Sequence, residues 1–137
     1  MAHYEGREVF FYKRAQIFAA DLNGAFHGRD WGRFEDMDKL TAFADYKLPQ
    51  VLRHLGVLQY DNNLAERVDS NTLIDAGSAE EVEIRANTIW AVELIRQALG
   101  RKEKTLTASQ IDWMLWNLGQ DNTYRAKPYH RTLTVFY

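Results

Sequence analysis

Phe43-Ala44-Asp45-Tyr46-Lys47-Leu48-Pro49-Gln50-Val51-Leu52-Arg53-His54-Leu55-Gly56, residues 43–56, is the stretch whose reading decides the fold. Pro49 biases Leu48 away from the α region. The proline itself suits the first turn of a helix, where its missing N–H has no partner to lose. Leu48, Val51, Leu52 and Leu55 recur at helical spacing and form an apolar face, and Gly56 is a natural C-terminal stop. Upstream, residues 40–46 have room for one or two helical turns. Residues 40–56 are therefore expected to run helix, tight hairpin, helix, with Asp45 at the bend.

Outward from that stretch the pattern stays helical. Phe11, Ala15, Phe18, Leu22 and Phe26 step by four, three, four and four, which predicts a helix over residues 7–26 with one packed face. A loop over residues 27–35 contains Gly28 and Gly32. A polar run, residues 60–70, is read as a short helix. Ser78 and Glu81 stand at capping-box spacing, opening a helix expected to reach Leu99 and stop at Gly100. Thr107 and Gln110 repeat the box, with Leu106 and Ile111 placed as a hydrophobic staple. The last residues, 129–137, alternate Leu133, Val135 and Tyr137 with threonines and Phe136, as a short strand or an extended, docked tail would. The class expected is mainly α with a short extended C-terminal tail. With no repeat or Pro/Gly/Ser linker, residues 1–137 are read as a single helical domain.

The totals narrow the function. The 137 residues contain 46% apolar side chains and no cysteine, so disulfides and thiolate metal sites are excluded. A net charge of −2 argues against broad binding to a phosphate backbone. No run approaches a membrane span. The four histidines (His3, His27, His54, His130) show no metal-ligand spacing. No phosphate-loop, dinucleotide or nucleophile-elbow motif is present.

Several side chains carry two readings each. Asp45 is either a helix-capping or turn aspartate or a carboxylate dried by Phe43 and Tyr46. Lys13 either lays its stem over the core or positions a carboxylate or substrate oxygen. Glu93, beside Ala86, Ile89 and Trp90, is expected inside, paired with Arg85 or Arg96; Glu83 is equally ambiguous. Asp112 and Trp116, four apart, share a helix face beside Ile111 and Leu115, and Trp116 either fills core or stacks on a flat heterocycle. His130 and Arg131 either receive a phosphate or belong to a solvated basic tail.

Five segments in order resemble the queuosine salvage protein family, also described as queuosine 5′-phosphate N-glycosylases. They are FYKRAQI (11–17), FADYKLPQVLRHLG (43–56), EVEIRANTIWAVELIR (81–96), IDWMLWNLGQ (111–120) and PYHRTLTVFY (128–137). The second is long and unusual enough to be highly specific. The resemblance implies a helical fold similar to helix-hairpin-helix DNA glycosylases, and corresponds to the C-terminal part of longer proteins. It implies a cytoplasmic N-glycosidase releasing queuine from queuosine 5′-monophosphate or queuosine for transfer-RNA modification. Asp45 then stands at the catalytic aspartate and Lys13 at the active-site lysine, with Tyr46, Trp116, His130 and Arg131 as substrate contacts. No metal or organic cofactor is implied, and no direct nucleic-acid or membrane contact. A partner chain or homo-oligomer completing the pocket is allowed for. The alternative is a non-catalytic queuine- or nucleotide-binding or assembly subunit that needs a missing N-terminal partner.

Such a reaction builds positive charge on the sugar, which a carboxylate beneath the anomeric carbon stabilises. Queuine is a 7-deazaguanine, so leaving-group protonation at N7 is not available. Glu83 and Glu93 are the candidate acids.

Overall fold

The computed structural model describes residues 2–137. It is mainly α, as the periodicity predicts. A hairpin of β1 (Ala2–Tyr4) and β2 (Arg7–Val9) precedes α1 (Lys13–Ala25), α2 (Lys47–His54), α3 (Asn62–Asp69), α4 (Ala79–Gly100) and α5 (Ala108–Leu118). Short 3-10 turns lie at Asp30–Gly32, Met37–Lys39 and Asn122–Arg125. The chain ends extended, tied by one parallel bridge between Leu73 and Arg131. No helix among the described residues is long and apolar enough to cross a membrane.

The stretch around Pro49 supplies the centre of the core. Leu48, Val51 and Leu52 of α2 are fully enclosed by Ala91 and Val92 of α4 and by Ile111 and Leu115 of α5. Burying each such side chain contributes roughly 1.5–3 kcal/mol. Gly56, with φ +74°, ends α2 in the left-handed conformation that favours glycine. Leu55 departs from the expected face and is half exposed. A second cluster joins Ala2, Phe11, Ala44 and Val82, and a third joins Leu64, Val68, Ile74 and Ile84.

Local capping chemistry fixes the other helix starts. Asp61 accepts the Leu64 N–H at 2.9 Å to begin α3. Thr107 and Gln110 satisfy each other's backbone N–H groups in a complete capping box at α5. Leu106 packs on the cluster containing Ile111. At α4, Ser78 caps the Glu81 N–H, but the Glu81 carboxylate takes the N–H of Gly77 rather than that of Ser78.

Four expectations are corrected. The helix expected over residues 7–26 starts only at Lys13. Glu5 and Gly6 both take positive φ, which favours a tight hairpin turn, and Tyr12 is left-handed too. The predicted stripe is not a packed face: α1 buries no residue, Phe18 and Phe26 are exposed, and only Phe11, outside the helix, is enclosed. Residues 40–45 form no helix: the Thr41 N–H goes to Gln16 and the Phe43 N–H to Asp112, while the Leu40 and Ala44 N–H groups close short turns onto Met37 and Ala42. Leu48, in turn, is helical despite Pro49. The Asp45 carboxylate accepts both the Lys47 and Leu48 N–H groups, which starts α2 two residues before the proline.

Truncation at the centre of this core tests its weight. Leu52→Ala should cost about 2–5 kcal/mol of unfolding free energy, whereas Thr107→Ala, which removes only a cap, should cost about 1 kcal/mol. Urea denaturation of both variants measures the difference.

Candidate functional site

Residues 41–45 are a short connecting segment held by side chains from three helices. Gln16 of α1 accepts the Thr41 N–H at 2.8 Å through Oε1 and donates from Nε2 to the Phe11 carbonyl at 3.0 Å. Asp112 of α5 accepts the Phe43 N–H through Oδ2 at 2.6 Å. Arg85 of α4 donates from Nε to the Ala44 carbonyl at 3.2 Å. Asp45 then turns its own Oδ1 back onto the first N–H groups of α2, at 2.8 Å and 3.0 Å. Ala42, Ala44 and Asp45 are buried, so these are the hydrogen bonds a dry segment requires.

The capping reading of Asp45 is therefore correct as geometry, yet it occupies one oxygen. Asp45 Oδ2 and Asp112 Oδ1 accept no hydrogen bond from the described residues. Both carboxyls are shifted upward. Burial is the main cause at Asp45, opposed by the Leu48 N–H and then by the charge of Lys13. Burial pushes Asp112 up to about 7, with the Asp45 charge adding and the Phe43 N–H and Lys13 opposing. Lys13, the first residue of α1, thus acts electrostatically on both carboxyls. Its effect has the expected sign, but desolvation outweighs it.

A second buried group ties this segment to the C-terminal tail. The Arg85 guanidinium lies 4.0 Å from the Phe11 ring and 4.4 Å from the Tyr137 ring, and binds Glu81 at 3.0 Å. Tyr137 Oη is 3.1 Å from His130 Nε2. Burial lowers the His130 pKa to about 4, the Arg85 charge helping and Glu81 opposing, so the imidazole is neutral at pH 7. Arg85 therefore reaches the peptide just before Asp45, the residue two before Lys13, and the tail.

The structure groups the sequence-predicted residues unevenly. Asp45 and Lys13 are coupled, and Asp112 joins them. Tyr46, His130 and Arg131 line one cavity of about 290 Å³, where the Tyr46 and Tyr129 rings are 4.9 Å apart. Lys13 instead lines a cavity of about 300 Å³ with Phe11, Arg14, Glu81 and Arg85. Asp45 lines neither cavity. Trp116 is not core: it is 42% exposed, and Lys47 Nζ lies 6.0 Å from its ring centroid while donating to the Gly119 carbonyl at 3.3 Å. Arg131 is exposed, and its carbonyl accepts the Ile74 N–H. Glu93 is not buried but half exposed at the surface, held by Arg96 and Gln97, and its pKa falls to about 2. Arg85 pairs with Glu81 rather than with Glu93. Glu83 is exposed and accepts from Tyr4 in the hairpin.

Sequence reasoning missed Asp112, Lys47 and Arg85 as parts of the site. A carboxylate placed beside Ile111 and Leu115 on a buried stripe was the available signal for Asp112. No group of three His, Asp or Glu side chains among the described residues is arranged to hold a metal ion.

A family model described as Queuosine salvage protein matches residues 1–137. The chain is 56% identical over 137 residues to the queuosine 5′-phosphate N-glycosylase/hydrolase of Sphaerobacter thermophilus, covering 100% of this chain and 42% of that protein. To the protein of the same name from Dictyostelium discoideum it is 48% identical over 136 residues, covering 99% and 42%. To that from Bos taurus it is 39% identical over 147 residues, covering 100% and 43%. The chain therefore spans about two-fifths of the length of the curated relatives it matches.

Two outcomes follow from the buried charges. Arg85→Met strands Glu81, so it should cost about 3–5 kcal/mol, and adding Glu81→Gln should recover part of that loss; denaturant melts of the single and double variants report it. His130 titrates near 6.5 unfolded and about 4 folded, so its contribution is whole above pH 6.5 and lost as pH falls toward 4. The stability difference between the native chain and His130→Gln should shrink over that window by up to roughly 3 kcal/mol.

Proposed function

Because the chain belongs to the queuosine salvage protein family, we propose that it hydrolyses the N-glycosidic bond of queuosine 5′-monophosphate, or of queuosine, releasing queuine for reuse in transfer RNA. The observation that carries this reading is Asp45: a buried carboxylate with one oxygen anchored to the start of α2 and the other unclaimed. As the bond to the base lengthens, the sugar carbon becomes cationic. A carboxylate fixed beneath it in a dry site stabilises that charge without reorganising, and accepts a proton from the attacking water. Lys13 opposes the upward shift that burial imposes on Asp45 and so favours the ionised form the reaction needs.

Substrate contacts are assigned by chemistry and position. Tyr46 and Trp116 present half-exposed rings to a flat base. Arg131, exposed at the rim of the cavity it shares with Tyr46 and His130, is suited to a 5′-phosphate. His130 is neutral and hydrogen-bonded to Tyr137, so it serves as a polar wall rather than as a charge.

The pocket is completed, in this reading, by a further part of the family fold, supplied by the same chain, a partner chain or a second copy. Two observations support it. Lys13 stands on a helix that buries no residue, and Phe18 and Trp31 on and beside that helix are exposed.

Asp45→Asn keeps an oxygen able to cap α2 and removes the negative charge. Its thermal unfolding should match that of the native chain, while queuine release, followed by mass spectrometry with queuosine 5′-monophosphate, should fall by about a hundredfold or more. Full release by this variant would remove Asp45 from the mechanism.

A further inference from the structure

The departing base poses a problem that Asp45 does not solve. A 7-deazaguanine offers no N7 to protonate, so leaving-group assistance must reach another edge of the ring. Glu93 is held ionised by Arg96, and Glu83 is engaged by Tyr4 in the hairpin. Neither is placed to hold a proton for a base.

Resting on the hydrolase reading above, we propose that Asp112 is the second carboxyl of the reaction, donating a proton to the departing base while Asp45 stays ionised beneath the sugar. Position is the first argument. Asp112 and Trp116 lie four residues apart on α5, one turn or about 6 Å along its axis. A heterocycle stacked on the half-exposed Trp116 ring would bring an edge toward the turn that carries Asp112. The second is the shared segment. Asp112 holds the Phe43 N–H and Asp45 follows two residues later, so both carboxyls belong to one rigid unit, each with one oxygen uncommitted.

Charge supplies the third argument. Asp112 is opposed by Lys13 of α1 and raised by Asp45; Lys47 of α2 acts on Asp45, and Arg85 of α4 is committed to Ala44 and Glu81. Asp45 thus has two ammonium groups acting on it, Lys13 and Lys47, whereas Asp112 has Lys13 alone. The Asp45 charge adds to the burial that disfavours an ionised Asp112, so Asp112 is the carboxyl that holds a proton. Asp112 is the member raised to about 7.

The step balances. The C1′–N bond breaks and its electron pair passes to the base, whose ring takes the Asp112 proton and leaves without a negative charge. Water forms the new C1′–O bond, its proton goes to Asp45, and transfer of that proton to Asp112 resets the pair. Nothing is oxidised or reduced.

The test compares the native chain and Asp112→Asn on queuosine 5′-monophosphate and on p-nitrophenyl ribofuranoside 5-phosphate, whose p-nitrophenolate leaves without a proton. Asparagine can still accept the Phe43 N–H, and thermal melts of both proteins report folding. The variant should lose about a hundredfold or more on the nucleotide and little on the nitrophenyl substrate. The native kcat/KM on the nucleotide should fall above pH about 7, a limb that the variant lacks. Equal losses on both substrates would reduce Asp112 to a structural residue, and unchanged nucleotide turnover would exclude it altogether. Inactivity of the native chain on both substrates, both alone and with the remaining part of the family fold added, would count against the hydrolase reading itself. The Asp112 proposal then stands or falls on the 13C carboxyl titration of that residue. A midpoint near neutral that drops in Asp45→Asn supports a proton-holding pair; an ordinary carboxylate midpoint overturns it.

Discussion

Five residues, 41–45, cross the interior without a helix or strand to satisfy their peptide groups. A buried N–H or C=O without a partner costs on the order of 1–3 kcal/mol, so the segment is stable only where side chains reach it. Asp112 meets the Phe43 N–H and Arg85 meets the Ala44 carbonyl, a carboxyl on a donor and a cation on an acceptor. That double hold is the constraint on which the site depends. It fixes the peptide ahead of Asp45, and Asp45 in turn nucleates α2, whose apolar face fills the core.

The same arrangement sets the electrostatics. The ionisable groups that grip the segment had to be buried with it, and burial shifts proton affinity. Arg85 is matched by Glu81 and flanked by two aromatic rings, which keeps its charge paired and the C-terminal tail attached. Asp112 has no such partner, only a backbone N–H and the more general influence of Lys13. The asymmetry between the two holds follows from packing, and it leaves the carboxyl side of the segment able to take up and release a proton.

What was legible in the sequence was local. The starts of α4 and α5 follow from Ser78 and Thr107, whose side chains act within three residues. The buried face of α2 follows from leucine and valine spacing around Pro49. Asp45 stood out because its neighbourhood is peculiar over a few residues. The rest is set at a distance. Phe43 and Asp112 are 69 residues apart in the chain, and Ala44 and Arg85 are 41 apart, so no window of sequence shows that the Phe43 N–H and the Ala44 carbonyl take side-chain partners instead of helical ones. The stripe over residues 7–26 misled for a related reason. Its spacing is helical, but a positive φ at Tyr12 breaks it, and the face it predicts meets no core within the described residues.

The chain belongs to the queuosine salvage protein family and spans about two-fifths of the length of its relatives. The central claim is that a rigidly held carboxylate faces the sugar carbon as it becomes cationic. A crystal structure of the chain with an iminoribitol 5-phosphate, whose protonated ring nitrogen mimics that cation, tests it most directly. The account predicts the nitrogen within hydrogen-bonding distance of Asp45 Oδ2, with the Phe43–Asp112 and Ala44–Arg85 contacts unchanged. Binding of the inhibitor away from Asp45, or a segment released from both holds, would contradict it.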